Sequence, residues 1–137
     1  DNTIIFDIII SAIIKINDGF DPGIITNIVE LKYLEFLGVM PNLEGCSICG
    51  SNKNIITLNG DSGGYLCKNC YTNEYIVDLK TIKLIRMFKF VDIGKIKELN
   101  ILDKNKVEIN KFLEEYYARY TGLYLKSKDF LKQLRNF

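Results

Sequence analysis

The sequence predicts a mainly α-helical domain, a helical bundle, with a small module of four cysteines and a β-hairpin inserted into it. Two patterns support this fold class. Apolar residues recur every three or four positions over residues 4–37 and again after residue 78, which is the spacing of amphipathic helices. Between these stretches, residues 42–76 are rich in cysteine, glycine and asparagine and contain only short apolar pairs.

Length and composition limit the possible classes of protein. The 137 residues are 47% hydrophobic and 26% charged, which predicts one globular domain over residues 1–137 with the 42–76 module inserted in it. The chain contains no histidine, so serine–histidine and cysteine–histidine catalysis are excluded. It begins at Asp1 rather than at methionine, and we expect a fragment or processed product of a longer protein.

The first predicted helix covers residues 4–16. Its spacing favours a buried helix over a strand, although its isoleucines are β-branched. Asn17, Asp18 and Gly19 end it, and Asp7, Ser11 and Lys15 make the run too polar to span a membrane. The apolar positions are Ile4, Ile5, Ile8, Ile9, Ala12, Ile13 and Ile16.

The second helix has the clearest boundaries in the sequence. Asp21 is an N-cap residue followed by Pro22 at the first helical position, an arrangement that favours helix initiation. Gly38 is a suitable residue for the end of the helix, and Pro41 follows it closely. The apolar stripe consists of Ile24, Ile25, Ile28, Leu31, Leu34 and Leu37.

The remaining elements follow from turn and capping signals. Residues 55–58 and 65–66 predict the strands of a hairpin whose turn is the glycine-rich segment 59–64. Asp78 predicts the cap of a helix that runs to about Phe90. Further helices are predicted over residues 92–99, over residues 105–121 with an end at Gly122, and over residues 128–135 after an N-cap at Ser127.

Two cysteine pairs, each with two residues between its members, are separated by 17 residues. This spacing is typical of a structural zinc site, because each tight knuckle presents two thiolates to one tetrahedral ion. Gly45 and Gly50 flank the first knuckle, where the backbone must turn sharply. The predicted zinc ligands are Cys46, Cys49, Cys67 and Cys70.

Two other uses of the cysteines stay open at this point. They would form disulfides in an oxidising compartment, although nothing marks the chain as secreted. A redox pair is a further possibility, although the hairpin setting does not resemble a thioredoxin motif. If four thiolates hold the zinc ion, its coordination shell is closed and the metal is structural, with no bound water to activate. With no catalytic apparatus identified, we expect no enzymatic activity.

Charge is distributed unevenly along a chain whose net charge is only +1. Residues 1–79 carry 4 basic and 10 acidic side chains, whereas residues 80–137 carry 14 basic and 7 acidic ones. A basic half can present a surface that faces phosphates, although helical segments of this kind often carry solvated lysines instead.

Three ordered blocks stand out along the sequence. The first is the segment 30–43, beginning Glu30-Leu31-Lys32-Tyr33, followed by the knuckle at 46–50. The second is the glycine-rich turn at 63–67, which leads to the second cysteine pair. The third is the segment 122–127 followed by Phe130 and Leu131. Together these blocks resemble the bacterial recombination mediator RecO family, and the similarity covers about residues 20–135.

This resemblance implies a repair protein that binds single- and double-stranded DNA and anneals complementary strands. It also implies that the protein works with RecR to help RecA displace single-strand-binding protein. The protein would then lie in the cytoplasm and would associate with the nucleoid when it is bound to DNA. The family has an N-terminal OB-fold before its helical, zinc-bearing part. The residues present here resemble only that second part, so functions of the OB-fold are not assigned to them.

Candidate DNA contacts lie in the basic half. In the predicted last helix, Phe130, Leu131 and Leu134 fall on one face and the basic side chains on the other. Such a face can neutralise phosphates without reading sequence, although a simply solvated face is the alternative. The candidates are Lys126, Lys128, Lys132, Arg135 and Lys80.

A second use of the basic half is the binding of a protein tail. The resemblance implies an acidic tail with a hydrophobic end, that of single-strand-binding protein, held at an apolar notch with a basic rim. Lys83, Arg86 and Lys89 are the candidates. The chain would then be a protein-interaction module with little DNA binding of its own. We expect no membrane partner and no small-molecule substrate.

Overall fold

The computed structural model describes residues 2–125. Four α-helices, one short 3-10 turn and a two-stranded antiparallel hairpin make up this part of the chain, which confirms the mainly helical fold with a hairpin between its second and third helices. In chain order they are α1 (Asn2–Asn17), α2 (Pro22–Phe36), β1 (Ile55–Asn59), β2 (Gly64–Cys67), α3 (Leu79–Phe90), the 3-10 turn (Ile93–Lys95) and α4 (Asp103–Tyr120).

Helix α2 lies at the centre of the helical part. It packs against α1, α3 and α4, and it is buried on most of its surface. Asp21 forms the predicted N-cap, because its carboxylate accepts hydrogen bonds from the backbone N–H groups of Gly23 (2.8 Å) and Ile24 (3.3 Å). The helix ends before Gly38, whose φ of +77° a non-glycine residue would adopt only with strain. Its boundaries are therefore those that the sequence predicts, within a residue.

Helix α1 is confirmed as a helix, but the prediction that it is buried is wrong. Only Ala12 and Ile16 are buried, in contact with the rest of the core. The side of the helix that faces α2 and the 3-10 turn covers only some of its apolar residues, because these lie on more than one side of the helix. Large exposed side chains therefore remain on α1, namely Ile4, Phe6, Ile9, Ile10 and Ile14.

Helix α3 begins after Asp78, as predicted, although the Asp78 side chain does not cap it. The carboxylate instead accepts a hydrogen bond from the Asn105 side-chain amide (3.0 Å) and lies 3.6 Å from the Lys104 ammonium. These α4 partners lower the pKa of Asp78, with the Asn105 hydrogen bond as the main cause.

The helix predicted over residues 92–99 is absent, and this prediction is wrong. Only the 3-10 turn Ile93–Lys95 forms there. Asp92 accepts a hydrogen bond from the Gly94 N–H (3.0 Å), and Ile96 has an extended conformation that ends the turn. Ile93 and Ile96 are the buried residues of this segment, so the segment buries both side chains in the core without forming a full helix.

The hairpin is confirmed, and it lies against α4. Strands β1 and β2 are antiparallel, with Leu58 opposite Tyr65 and Asn59 opposite Gly64. Gly60, in the connecting turn, approaches α4 so closely that an added Cβ would lie 2.6 Å from the Phe112 carbonyl oxygen. Tyr120 donates a hydrogen bond to the Asp61 carbonyl at the same turn (3.0 Å).

The C-terminal prediction is not tested by the structure. Helix α4 ends at Tyr120, before Gly122 with its φ of +73°, and this agrees with the predicted end. The helix predicted over residues 128–135 lies outside the described residues. None of the helices within residues 2–125 has the length and apolar character that a membrane span requires.

Candidate metal centre and basic helix

The four cysteines that are far apart in the sequence come together in space. Their sulfur atoms all lie within 4.8 Å of one another, and the Sγ atoms of Cys49 and Cys67 are 3.7 Å apart. The cysteines are free thiols rather than disulfides. In a tetrahedral site with zinc–sulfur bonds of about 2.3 Å, neighbouring sulfurs are about 3.8 Å apart. The spacing of the thiols therefore fits a single tetrahedral ion, and this cluster can hold a metal ion.

Each knuckle is a backbone turn that starts at its first cysteine. The carbonyl oxygen of Cys46 accepts the Gly50 N–H (2.9 Å), and that of Cys67 accepts the Tyr71 N–H (3.0 Å). The Ile48 N–H points to the Cys46 sulfur at 3.5 Å. Such N–H groups stabilise negative charge on a thiolate.

The glycines at the first knuckle have the roles that the sequence predicts. Gly50 has a φ of +81°, a left-handed conformation that favours glycine. At Gly45 an added Cβ would lie 2.6 Å from the Gly50 carbonyl oxygen. The knuckle therefore closes on itself because neither position carries a side chain.

The cysteine cluster shifts the ionisation of its own members in opposite directions. Burial opposes ionisation of Cys46, but N–H groups of the two knuckles, including those of Cys49 and Cys67, lower the pKa of its thiol to about 6. The hydrogen bond with Cys67, together with burial, raises the pKa of Cys70 to about 12. Clustered thiolates repel one another, so a bound cation would favour ionisation of all four.

The hairpin positions one cysteine pair against the other. Cys67 is the last residue of β2, and the first knuckle is tied to the same strand because the Ser47 N–H donates to the Tyr65 carbonyl (2.7 Å). Asn42, just before the knuckle, exchanges hydrogen bonds with the Gly63 carbonyl and the Tyr65 N–H. The position of one cysteine pair relative to the other therefore depends on the register in which β1 and β2 pair.

The chain entering the module is bound to α3. The Arg86 guanidinium donates to the Leu43 carbonyl oxygen at 2.8 Å and lies 3.5 Å from the Glu44 carboxylate. The Lys89 ammonium is 3.7 Å from the same carboxylate. Both cations also lie over the ring of Phe90, at 5.5 Å and 5.2 Å from its centroid.

The chain leaving the module is bound by Glu108 of α4. This buried carboxylate accepts hydrogen bonds from the Tyr75 hydroxyl (2.8 Å), the Asp78 N–H (3.1 Å) and the Thr81 hydroxyl (2.7 Å). The sequence analysis did not identify Glu108. A signal was present, because Glu108 lies one turn before Phe112 on the stripe that α4 buries.

Three of the four candidate basic residues within the described part of the chain, Lys80, Lys83 and Arg86, are exposed on α3, whereas Lys89 is half-buried. Lys80 and Lys83 are exposed, one helical turn apart. Among residues 2–125, neither forms an ion pair, whereas Arg86 and Lys89 both face Glu44. The other four DNA-contact candidates, Lys126, Lys128, Lys132 and Arg135, lie outside the described residues.

The tyrosines of α4 belong mainly to the core. Tyr116 and Tyr117 are buried, and their hydroxyls donate to the carbonyl oxygens of Val39 and Glu30. This excludes both rings as stacking platforms for bases in this conformation. Tyr120 and Tyr124 are the exposed tyrosines at this end of the described chain.

Comparison with known proteins decides the family. The family model described as "Recombination protein O C terminal" matches residues 1–129. The chain belongs to the RecO family. The first knuckle and the glycine-rich turn are among the blocks that carry the resemblance in the sequence, and the family match agrees with that resemblance. No solved structure gave a significant match.

Individual RecO proteins match nearly the whole chain. The protein named DNA repair protein RecO of Bacillus velezensis is 35% identical over 138 residues, which cover 98% of this chain and 54% of that protein. The protein of the same name from Bacillus subtilis is 32% identical with the same coverage. That of Listeria monocytogenes serotype 4b is 31% identical and is covered to 53%. The chain therefore spans about half the length of the curated relatives that it matches.

Proposed function

We propose that this chain supplies DNA binding and protein interaction to a RecO-type DNA repair protein, with no enzymatic activity of its own. In this proposal the whole protein anneals strands and, with RecR, loads RecA onto DNA that single-strand-binding protein covers. It works in the bacterial cytoplasm, associated with the nucleoid when bound to DNA. The observation that carries the proposal is the exposed pair Lys80 and Lys83 on α3, which form no ion pair with any of the described residues, in a chain of this family.

The α3 face suits contacts to phosphates rather than to bases. Lys80 and Lys83 project from one side of a helix, and Arg86 follows one turn later. The helix is held at its start through Thr81 and near its end through Arg86, so the cations have a fixed spacing. Each lysine that neutralises a phosphate releases a counterion, which gives affinity without sequence preference. We extend this DNA surface to Lys126, Lys128, Lys132 and Arg135, which lie outside the described residues.

We assign zinc as the ion of the cysteine cluster, with Cys46, Cys49, Cys67 and Cys70 as its ligands. Four thiolates in a tetrahedral arrangement favour zinc among the common biological metals. A closed set of four protein ligands gives the ion a structural role: it would fix the two knuckles and, through them, the 42–76 module within the single domain that we predict.

The DNA proposal is tested by measuring the affinity for labelled single- and double-stranded oligonucleotides at several salt concentrations. The double variant Lys80→Ala/Lys83→Ala should weaken binding about equally for all sequences and should reduce the log–log salt slope by about 1 to 2. Lys95→Ala/Lys97→Ala is the matched control, because these exposed lysines lie beyond α3 at the 3-10 turn. An unchanged affinity and slope would assign Lys80 and Lys83 to a solvated face.

The same measurement applies to the C-terminal lysines. Lys128→Ala/Lys132→Ala should also lower the affinity and the salt slope. If this variant binds like the unchanged chain, these two residues do not contact DNA, and the surface is limited to α3.

The second candidate function is the binding of an acidic, hydrophobic-ended tail, such as that of single-strand-binding protein. One observation favours it: Arg86 and Lys89 already face a carboxylate, that of Glu44, beside the exposed ring of Phe90. A tail carboxylate would replace Glu44 at the two cations, and its apolar side chain would contact Phe90. Lys83, one turn away, completes the basic rim.

Glu44 provides the test that separates this function from DNA binding. Glu44→Gln should tighten the binding of a synthetic acidic tail peptide, because it removes a competing carboxylate, whereas Lys83→Ala/Lys89→Ala should weaken it. Glu114→Gln, an exposed carboxylate on α4, is the control. If Glu44→Gln has no effect on the peptide but tightens DNA binding, Arg86 and Lys89 belong to the DNA surface instead.

A further inference from the structure

The cysteine cluster has one side in the interior of the module and one side in solvent. The first cysteines of the two pairs, Cys46 and Cys67, are buried, with exposed fractions of 1% and 2%. Of the second cysteines, Cys49 is exposed and Cys70 is half-buried. A solute in water therefore reaches the cluster from the side of Cys49, before it can meet either buried thiol.

Little of the described chain covers the Cys49 side of the cluster. The neighbouring Ile48 is itself 65% exposed, and a Cβ added at Gly50 would meet no atom of the described residues within 4 Å. The small apolar cluster of the module, which contains Cys46 and Cys67, does not include Cys49. Because burial in apolar surroundings makes a cysteine inert, Cys49 lacks the protection that the two buried cysteines have.

A second thiol lies within reach of Cys49. The Sγ atoms of Cys49 and Cys67 are 3.7 Å apart, so they need to approach by less than about 2 Å to reach the length of a disulfide bond, about 2.05 Å. The Cys46 sulfur differs, because the Ile48 N–H points to it at 3.5 Å, and a thiolate that is stabilised by hydrogen bonds is a weaker nucleophile. The geometry thus places an exposed thiol beside a partner with which it can form a bond.

We propose that Cys49 is a site of oxidative modification, at which hydrogen peroxide forms a disulfide between Cys49 and Cys67 and the metal ion is released. In the first step the Cys49 thiolate attacks one peroxide oxygen, the O–O bond breaks, and a sulfenic acid and a hydroxide ion form. In the second step the Cys67 thiolate attacks the sulfenic sulfur, the S–S bond forms and a second hydroxide ion leaves. The two sulfurs together lose two electrons, which one peroxide molecule accepts.

Release of zinc requires the zinc ion proposed for this cluster, so this inference rests on the proposed function. The disulfide removes two of the four ligands, and Cys46 and Cys70 alone do not close a tetrahedral shell. Leu66 is the one buried residue of the small apolar cluster, within the described chain, that is not a cysteine, so burial alone holds the knuckles weakly. We therefore expect oxidation to loosen residues 42–76 while the helices stay folded.

The test begins with the zinc content of the purified chain and then adds hydrogen peroxide, at concentrations that leave the exposed Met87 unoxidised. A zinc-binding dye measures the released ion, a thiol reagent counts the free cysteines, and mass spectrometry identifies the disulfide. We expect zinc release with the loss of two thiols, a disulfide between Cys49 and Cys67, and a larger increase of hydrogen exchange in residues 42–76 than in α2. A thiol reductant with added zinc should restore the original exchange.

Cys49→His separates the role of Cys49 from that of the other ligands, because histidine also binds zinc but forms no disulfide. This variant should slow zinc release by about tenfold or more. Cys70→His is the matched control at the half-buried second cysteine, and it should release zinc at nearly the rate of the unchanged chain. If Cys49→His binds no zinc, the disulfide that forms in the unchanged chain decides the question.

Three results would overturn the modification of Cys49 while leaving the zinc assignment intact. The first is zinc that stays bound in peroxide with all four thiols free. The second is a disulfide that joins cysteines other than Cys49 and Cys67. The third is equal zinc release from Cys49→His and the unchanged chain. A purified chain that binds no zinc, even when zinc is supplied, would contradict the zinc assignment itself and the release step with it.

Discussion

Glu108 shows how a single residue connects the cysteine module to the helices. Its buried carboxylate accepts hydrogen bonds from Tyr75, Asp78 and Thr81, which lie between the second knuckle and the first turn of α3. A buried carboxylate is stable only when its oxygens are well hydrogen-bonded. Glu108 thereby fixes where the chain leaves the module and where the basic helix begins.

Glu108→Gln should lower the free energy of unfolding by about 1.5–3 kcal/mol, because one acceptor oxygen becomes an amide donor that faces other donors. Urea unfolding followed by circular dichroism measures this change. Glu114→Gln, an exposed carboxylate on the same helix, is the control and should change stability by less than about 0.5 kcal/mol. Equal unfolding midpoints for the two variants would contradict the role given to Glu108.

Because the hydroxyl of Tyr117 is buried, we expect the protein to lose stability at alkaline pH. Burial raises the pKa of its hydroxyl well above the ordinary value, and burial likewise raises that of Tyr116 to about 12. In the unfolded chain a tyrosine ionises near pH 10. The unfolded state therefore binds fewer protons above that pH, and the stability that is fully present below pH 10 is lost as the pH rises toward the folded pKa.

Tyr117→Phe should make the decline between about pH 10 and pH 12 less steep, because the variant has no hydroxyl to ionise at this position. At neutral pH it should cost about 1 kcal/mol, since the hydrogen bond to the Glu30 carbonyl is lost. Urea unfolding at neutral pH and again at several values between about pH 10 and pH 12 measures both effects. A decline as steep as that of the unchanged chain would show that Tyr117 does not contribute to it.

The residues that sequence alone identifies are those with a fixed spacing or a local partner. The spacing of the four cysteines identifies them as candidate metal ligands, and the proline after Asp21 identifies Asp21 as an N-cap residue. Glu108 has no local partner that would identify it, because its hydrogen-bond donors lie 27 to 33 residues away in the chain. Asp78 is a mixed case: its position at the start of α3 is predictable, but the capture of its carboxylate by Asn105 depends on tertiary packing.

At the scale of elements, the hairpin turn and α4 fit together with little space between them. An added Cβ at Gly60 would lie 2.6 Å from the Phe112 carbonyl oxygen and 2.8 Å from the Tyr116 nitrogen. Both are backbone atoms of a helix and cannot move aside alone. The turn can therefore approach α4 only with glycine at this position.

Gly60→Ala should destabilise the chain by about 1–3 kcal/mol and should loosen the hairpin from α4, because the added methyl group forces the two apart. Hydrogen exchange in residues 55–67, together with urea unfolding, measures both effects. Gly94→Ala is the matched control, since its added Cβ would meet no atom closer than 3.5 Å. Equal exchange in the two variants would show that the turn moves without cost.

The element predictions that failed did so for physical reasons visible in the packing. The spacing of α1 correctly indicates a helix, but an apolar residue reports only that burial is favourable and not what covers it. The segment 92–99 needs to bury only Ile93 and Ile96, which a single 3-10 turn achieves. The periodicity of the apolar residues predicts a helix over such a segment, but it does not show whether their burial requires the whole helix.

At the scale of the whole molecule, the described residues form two apolar clusters, and this division separates the stability of the module from that of the helices. One large cluster joins the four helices, with Leu58 and Tyr65 of the hairpin at its edge. A second and much smaller one consists of Cys46, Leu66 and Cys67. Too few apolar side chains surround the cysteines to hold the knuckles by burial alone, so a bound ion would contribute most of their local stability.

Removal of the proposed zinc ion should therefore affect the molecule unevenly. A chelator should speed hydrogen exchange in residues 42–76 far more than in α2 and α4, and the helical circular dichroism signal should be mostly retained, because the large cluster does not depend on the metal. Cys70→Ser should reproduce this pattern without chelator, whereas Lys53→Ala, at an exposed position in the same module, should not. If the helices and the module lose protection together at one chelator concentration, the two clusters form a single cooperative unit, and the metal supports the whole domain.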